Sequence, residues 1–147
     1  MKTITKNSEL LPGYVKLIVI PTSNIVSIES NQVNVISNNN VYLIQCSIDS
    51  INHEARHIEN ENGKFYEHTV SARLQGYNNN NDSALSEISV PNVVLLLLTD
   101  ENTWIRLGDK ENALSFTGDF NTDKPGYDIM FVGELPYKSM PNIAQSF

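Results

Sequence analysis

Six consecutive apolar side chains, Val93-Val94-Leu95-Leu96-Leu97-Leu98, constrain the fold of this 147-residue chain more than any other feature. A bilayer takes about 20 such residues, so this run does not cross one. Asp100-Glu101-Asn102 bounds it on one side and Pro91 on the other. A strand sends alternate side chains to opposite faces, so a run without alternation predicts a strand over Val93 to Thr99 that is buried on both faces. The remaining chain has to supply that cover.

Most of that remainder also reads as strand. β-Branched and aromatic runs recur at short intervals, broken by Asn, Gly, Pro and Asp, which is the pattern of a sandwich or barrel. The candidates are Tyr14 to Ile20, stopped by Pro21, and Ile25 to Glu29 with Gln32 to Ser37 around a Ser30-Asn31 turn. Val41 to Ile48 follows the turn Asn38-Asn39-Asn40, since Asn tolerates left-handed backbone angles. Asn60-Glu61-Asn62-Gly63 reads as a hairpin turn, with Asn-Gly its strongest signal, leading into the long strand Lys64 to Gln75. In that strand Phe65, Glu67, Thr69, Ser71 and Arg73 alternate with Tyr66, His68, Val70, Ala72 and Leu74, and neither set is purely apolar. Thr103 to Leu107, Ala113 to Thr117 and Tyr127 to Val132 complete the set, while Ile51 to Glu59 is ambiguous. One short helix is expected: Asp82 or Ser83 caps a turn or two through Ala84, Leu85, Glu87 and Ile88 before Pro91. The expected fold is mainly β, an antiparallel sandwich or barrel with one short helix. The expected organisation is an N-terminal arm over 1–13, a β domain over 14–133 and an extended C-terminal arm over 134–147 that holds Pro136 and Pro141.

Composition narrows the function. Hydrophobic residues make up 40%, enough for a core, but charged residues only 18%, below the usual quarter or so. Asn and Ser must therefore supply much of the polar surface. The net charge of −7 comes with few, scattered Lys and Arg, so no basic stripe exists to neutralise a phosphate backbone, and specific nucleic-acid binding is not expected. An acidic wall is compatible with a channel through which DNA passes. Cys46 is the lone cysteine and reads as a small core or surface filler. No signal-peptide or membrane-length segment is evident, so folding in a cytoplasm and no membrane contact are expected.

The one chemical motif is His53-Glu54-Ala55-Arg56-His57, which matches the zinc-protease pattern H-E-x-x-H. That chemistry needs a helix, so that both imidazoles face one zinc and the Glu activates a water. The flanking Ile51-Asn52 and Ile58-Glu59-Asn60 do not extend a helical apolar stripe, and a surface strand or loop is the preferred reading. Glu67 with Glu87, and Asp119 with Asp123, are conceivable carboxylate pairs, but nothing in their spacing fixes a separation. Asp119 to Asp123 loosely resembles a calcium loop without its glycine and closing Glu. Trp104 reads as a core or interface anchor before a sugar-stacking platform. No catalytic, metal or cofactor residue is therefore assigned, and no enzyme activity is expected.

From about Gly63 to Gly133 the chain resembles small virion proteins of Bacteroidetes phages and prophages, including crAss-like phages. The residues that carry the likeness are Gly63-Lys64-Phe65-Tyr66-Glu67-His68-Thr69-Val70, the helical segment Leu85 to Ile88, and the buried run Val93 to Leu98. Asp100 to Gly108, with Trp104-Ile105-Arg106-Leu107-Gly108, and Thr117-Gly118 through Gly126-Tyr127-Asp128-Ile129-Met130-Phe131-Val132-Gly133 complete it. The resemblance implies a structural subunit in a virion, assembled in the bacterial cytoplasm. It forms a ring with copies of itself in the tail or head–tail connector, against adjacent virion proteins and without a cofactor. It also implies strands of neighbouring subunits meeting edge to edge. Lys64 to Gln75 and the loop Tyr77 to Asp82 are the expected lateral contacts, with the apolar residues of both arms docking on a neighbour. The alternatives are a carbohydrate- or peptide-binding β-sandwich of fibre or adhesin type and, behind it, a zinc hydrolase through His53 and His57.

Overall fold

The computed structural model describes residues 2–4, 14–46, 50–75, 79–88, 92–99, 102–121, 123 and 125–142. The chain opens with β1 (Lys2–Ile4) and β2 (Tyr14–Pro21), followed by the hairpin β3 (Ile25–Glu29) and β4 (Gln32–Val35). Next come β5 (Tyr42–Ile44), β6 (Asn52–Asn60), β7 (Gly63–Gln75) and the helix α1 (Asn79–Ile88). β8 (Val93–Thr99), β9 (Trp104–Leu107), β10 (Ser115–Asn121), β11 (Gly126–Leu135) and β12 (Met140–Asn142) complete it. The fold is mainly β, as the strand pattern predicts. A six-stranded sheet runs β1-β5-β2-β8-β9-β12 and a four-stranded sheet runs β10-β11-β7-β6. Each ends in two separate edge strands, so among the described residues the sheets stay open and no barrel closes.

β8 lies in the middle of the first sheet, and Val93 to Leu98 are all buried. Val93, Leu95 and Leu97 join Leu17, Val19, Val70, Leu74, Ile129, Phe131, Leu85 and Ile88 in the core between the sheets and the helix. Val94 and Leu96 face the other way, with Ile18 and Ile20, and are covered by Ile25 and Val33 of the β3–β4 hairpin. This hairpin turns tightly because Ser30 and Asn31 both take positive φ, 52° and 61°, as the favoured two-residue turns require. The β6–β7 turn falls on Asn60 to Gly63, as expected. Asn60 pairs with Gly63, so Glu61 and Asn62 form the tip, and the Asn60 side chain caps the Asn62 N–H at 2.8 Å.

Several boundaries differ from the expectation. The helix begins at Asn79, before Asp82 and Ser83. Its inner face is Asn81, Ala84, Leu85 and Ile88, and its ends are tied down by Tyr127 Oη to Asp82 (3.3 Å) and Tyr42 Oη to Glu87 (3.2 Å). Ser115–Asn121 and Gly126–Leu135 run past the predicted ends, because β10 pairs with β11 as far as Asn121 and β11 continues along β7 to Leu135. The largest correction concerns the C-terminal arm. Glu134 and Leu135 belong to β11, Leu135 is fully buried, and Met140–Asn142 pairs with β9. Pro141 fits there because β12 is an edge strand, where a missing N–H costs little. Tyr137 packs against the core between the sheets, and Met140 is half-buried on the edge strand. At the other end Lys2–Ile4 pairs parallel with β5. Residues 5–13 and 143–147 lie outside the described residues. β7 lies inside its sheet, paired on both sides over Tyr66 to Ser71, and Asn79 to Asp82 are helical. Residues 76–78 of the expected loop lie outside the described residues.

Candidate functional site

The ambiguous segment Ile51 to Glu59 proves to be strand, and this decides the His-Glu-x-x-His question. His53 and His57 both lie on β6. Residues four apart on a strand point the same way but stand roughly 13 Å apart, too far to share one metal ion. Among the described residues no group of three or more His, Cys, Asp or Glu is placed to hold a metal. His57 is exposed and packs against Tyr66, ring centroids 5.2 Å apart.

His53 has a different neighbour. Even-numbered positions of β7 face inward, which buries His68 completely beside Val70. His53 Nε2 lies 2.9 Å from His68 Nδ1, and His68 Nε2 lies 2.9 Å from the backbone carbonyl of Tyr137. A carbonyl only accepts, so His68 Nε2 carries a proton. With His68 neutral, its Nδ1 accepts from His53 Nε2–H. Burial, and then the charge a protonated His68 would bring, hold His53 down to about 4. The segment after β11 closes over this row. Tyr137 Oη donates to Asp109 at 3.1 Å, and burial followed by the Asp109 carboxylate pushes the phenol up to about 12. The row is a buried polar strut between β6, β7 and the 136–139 crossover.

The other candidates are dispersed. Glu67 pairs with Arg56 at 3.2 Å, whereas Glu87 accepts from Tyr42. Asp119 stands opposite Asp128, which Arg73 neutralises at 2.7 Å. Asp123 sits in the turn before β11. Cys46 is a fully buried core thiol and Trp104 is half-buried against the hairpin-side core.

One feature escapes sequence reading. Arg106 is 6% exposed on β9 and forms part of an open cavity of about 400 Å³. Val26, Ser27, Ile28, Asp109, Lys110 and Glu111 line the rest. Gly108, at φ +105°, turns the chain so that Asp109 caps the N–H groups of Glu111 (3.0 Å) and Asn112 (2.7 Å). Apolar neighbours at Ile105 and Leu107 mark Arg106 as a strand residue, but nothing local shows that its outward face is covered.

No family model matches the chain, and no curated protein and no solved structure matches it either.

Proposed function

We propose that the chain is a structural subunit of a phage virion that joins copies of itself into a ring in the tail or head–tail connector. The observation that carries this reading is the pair of unlike open edges on the four-stranded sheet. β10 ends it on one side and β6 on the other, and no described residue pairs with the outer side of either. Exposed strand edges are templates for pairing with another chain. Two different edges on one sheet suit a head-to-tail contact, and repetition of such a contact closes into a ring when the rotation allows. The resemblance of residues 63–133 to small virion proteins supports the same reading. Charges on β6 (Glu54, Arg56, Glu59) select against indiscriminate joining and leave a charge-matched partner edge as the fitting one. Among the described residues Phe120 is the exposed aromatic on the large-hydrophobic surface, so no aromatic platform favours a sugar-binding reading.

Sedimentation velocity and electron micrographs of the purified full chain test this. We expect closed rings of one stoichiometry. Thr117→Glu on β10 combined with His57→Glu on β6 makes both edges more acidic at exposed positions, and should dissolve the rings with an unchanged circular dichroism spectrum. A chain that stays monomeric up to millimolar concentration overturns the proposal.

A further inference from the structure

A buried guanidinium needs partners for its donors and its charge, because arginine does not deprotonate in proteins. Arg106 Nε–H donates to the Gly108 carbonyl at 3.0 Å, but Nη1 is buried with no hydrogen-bond partner. Among the described residues, no carboxylate lies within ion-pair distance of Arg106. Asp109, in the same cavity wall, is committed elsewhere. Its Oδ1 accepts from the Glu111 and Asn112 backbone and its Oδ2 from Tyr137. The Asp109 charge thus faces the cavity without supplying an acceptor to Nη1; a buried donor left unpaired is costly, so the cavity has the character of a place held for an anionic acceptor.

The walls say which anion. Ser27 Oγ accepts from Asn34 Nδ2 at 3.0 Å, which leaves its hydroxyl proton to be donated. Lys110 stands exposed on the wall beside it. Val26 and Ile28 add an apolar flank. The Asp109 and Glu111 carboxylates on the same wall oppose a second negative charge, so a monoanion fits better than a phosphate dianion. A planar carboxylate also matches the guanidinium fork.

We propose that this cavity binds a carboxylate carried on a short aliphatic chain, with Arg106 as its counter-ion. The carboxylate is either a free aliphatic acid or an Asp or Glu side chain of a second copy of this chain. The binding chemistry is the same for both, and neither depends on the ring assembly above.

The test is a titration of the full-length chain with sodium butyrate at constant ionic strength, followed by NMR of the Arg106 Nε–H and of the β3 backbone amides. Saturable shifts at Arg106 and Ser27 are expected, beyond any seen with sodium chloride. Val26→Glu, at an exposed position, brings a carboxylate of its own to the cavity and should abolish the response, as should Arg106→Gln. Sedimentation of the same samples separates the sources. Butyrate disperses oligomers if the natural occupant is a neighbour's acidic side chain, and leaves self-association unchanged if it is a free acid. Absence of saturable shifts to about 100 mM, well beyond millimolar affinity, overturns the proposal. Equal shifts in Val26→Glu overturn it too.

Discussion

His53 and His68, fifteen residues apart, meet ring to ring across β6 and β7, Nε2 to Nδ1 at 2.9 Å, with their planes 15° apart. The contact gives a pH dependence of defined sign. The unfolded chain protonates His53 below about pH 6.5, whereas the folded chain resists until about 4. Between these values the unfolded state binds more protons, so stability is full above pH 6.5 and declines as pH falls towards 4. The ring is partly open to water, so a loss of about 1–2 kcal/mol is expected, less than the full shift implies. Urea midpoints from pH 7 to 4 should fall more steeply for the wild type than for His53→Gln. Equal slopes would show that the pair does not titrate this way.

The two histidines of the motif separate energetically. His57→Ala removes an exposed ring and should change stability by no more than about 0.5 kcal/mol. His53→Ala leaves His68 Nδ1 buried beside a lost partner, and should cost about 1–3 kcal/mol. From sequence alone both positions read as surface. Thermal melts of the single variants check the contrast.

Two glycines fail for different reasons when given a methyl group. At Gly133 a Cβ would lie 2.6 Å from Leu114 Cδ2 and 2.9 Å from the Ala113 carbonyl oxygen, so Gly133→Ala should cost about 1–3 kcal/mol through overpacking. At Gly63 nothing lies within 4 Å, but φ is +116°, so Gly63→Ala should cost about 1 kcal/mol through backbone strain alone. Denaturant titration distinguishes them from a neutral result.

Deleting residues 136–147 should destabilise the domain by about 3 kcal/mol or more. It removes the β12 edge strand and takes the acceptor from His68 and the phenol from Asp109, each a buried or half-buried hydrogen bond worth about 1 kcal/mol or more. A truncated chain that melts with the full-length protein would restore the view of this segment as an independent arm.

The apolar run Val93 to Leu98 by itself determined a strand covered on both faces, and the β-branched runs with their Asn, Gly and Pro stops determined a mainly-β fold. These features are local: side-chain period and backbone preference act over a few residues. Only the tertiary structure decided which strands share an edge, that Ile51 to Glu59 is strand rather than helix, and that the tail from Glu134 to Asn142 belongs to the sheets. His68 meets the carbonyl of Tyr137 across 69 residues, and Arg106 shares a cavity wall with Val26, Ser27 and Ile28 of a hairpin far earlier in the chain. Contacts of that range follow from how layers stack, which short-range periodicity does not encode.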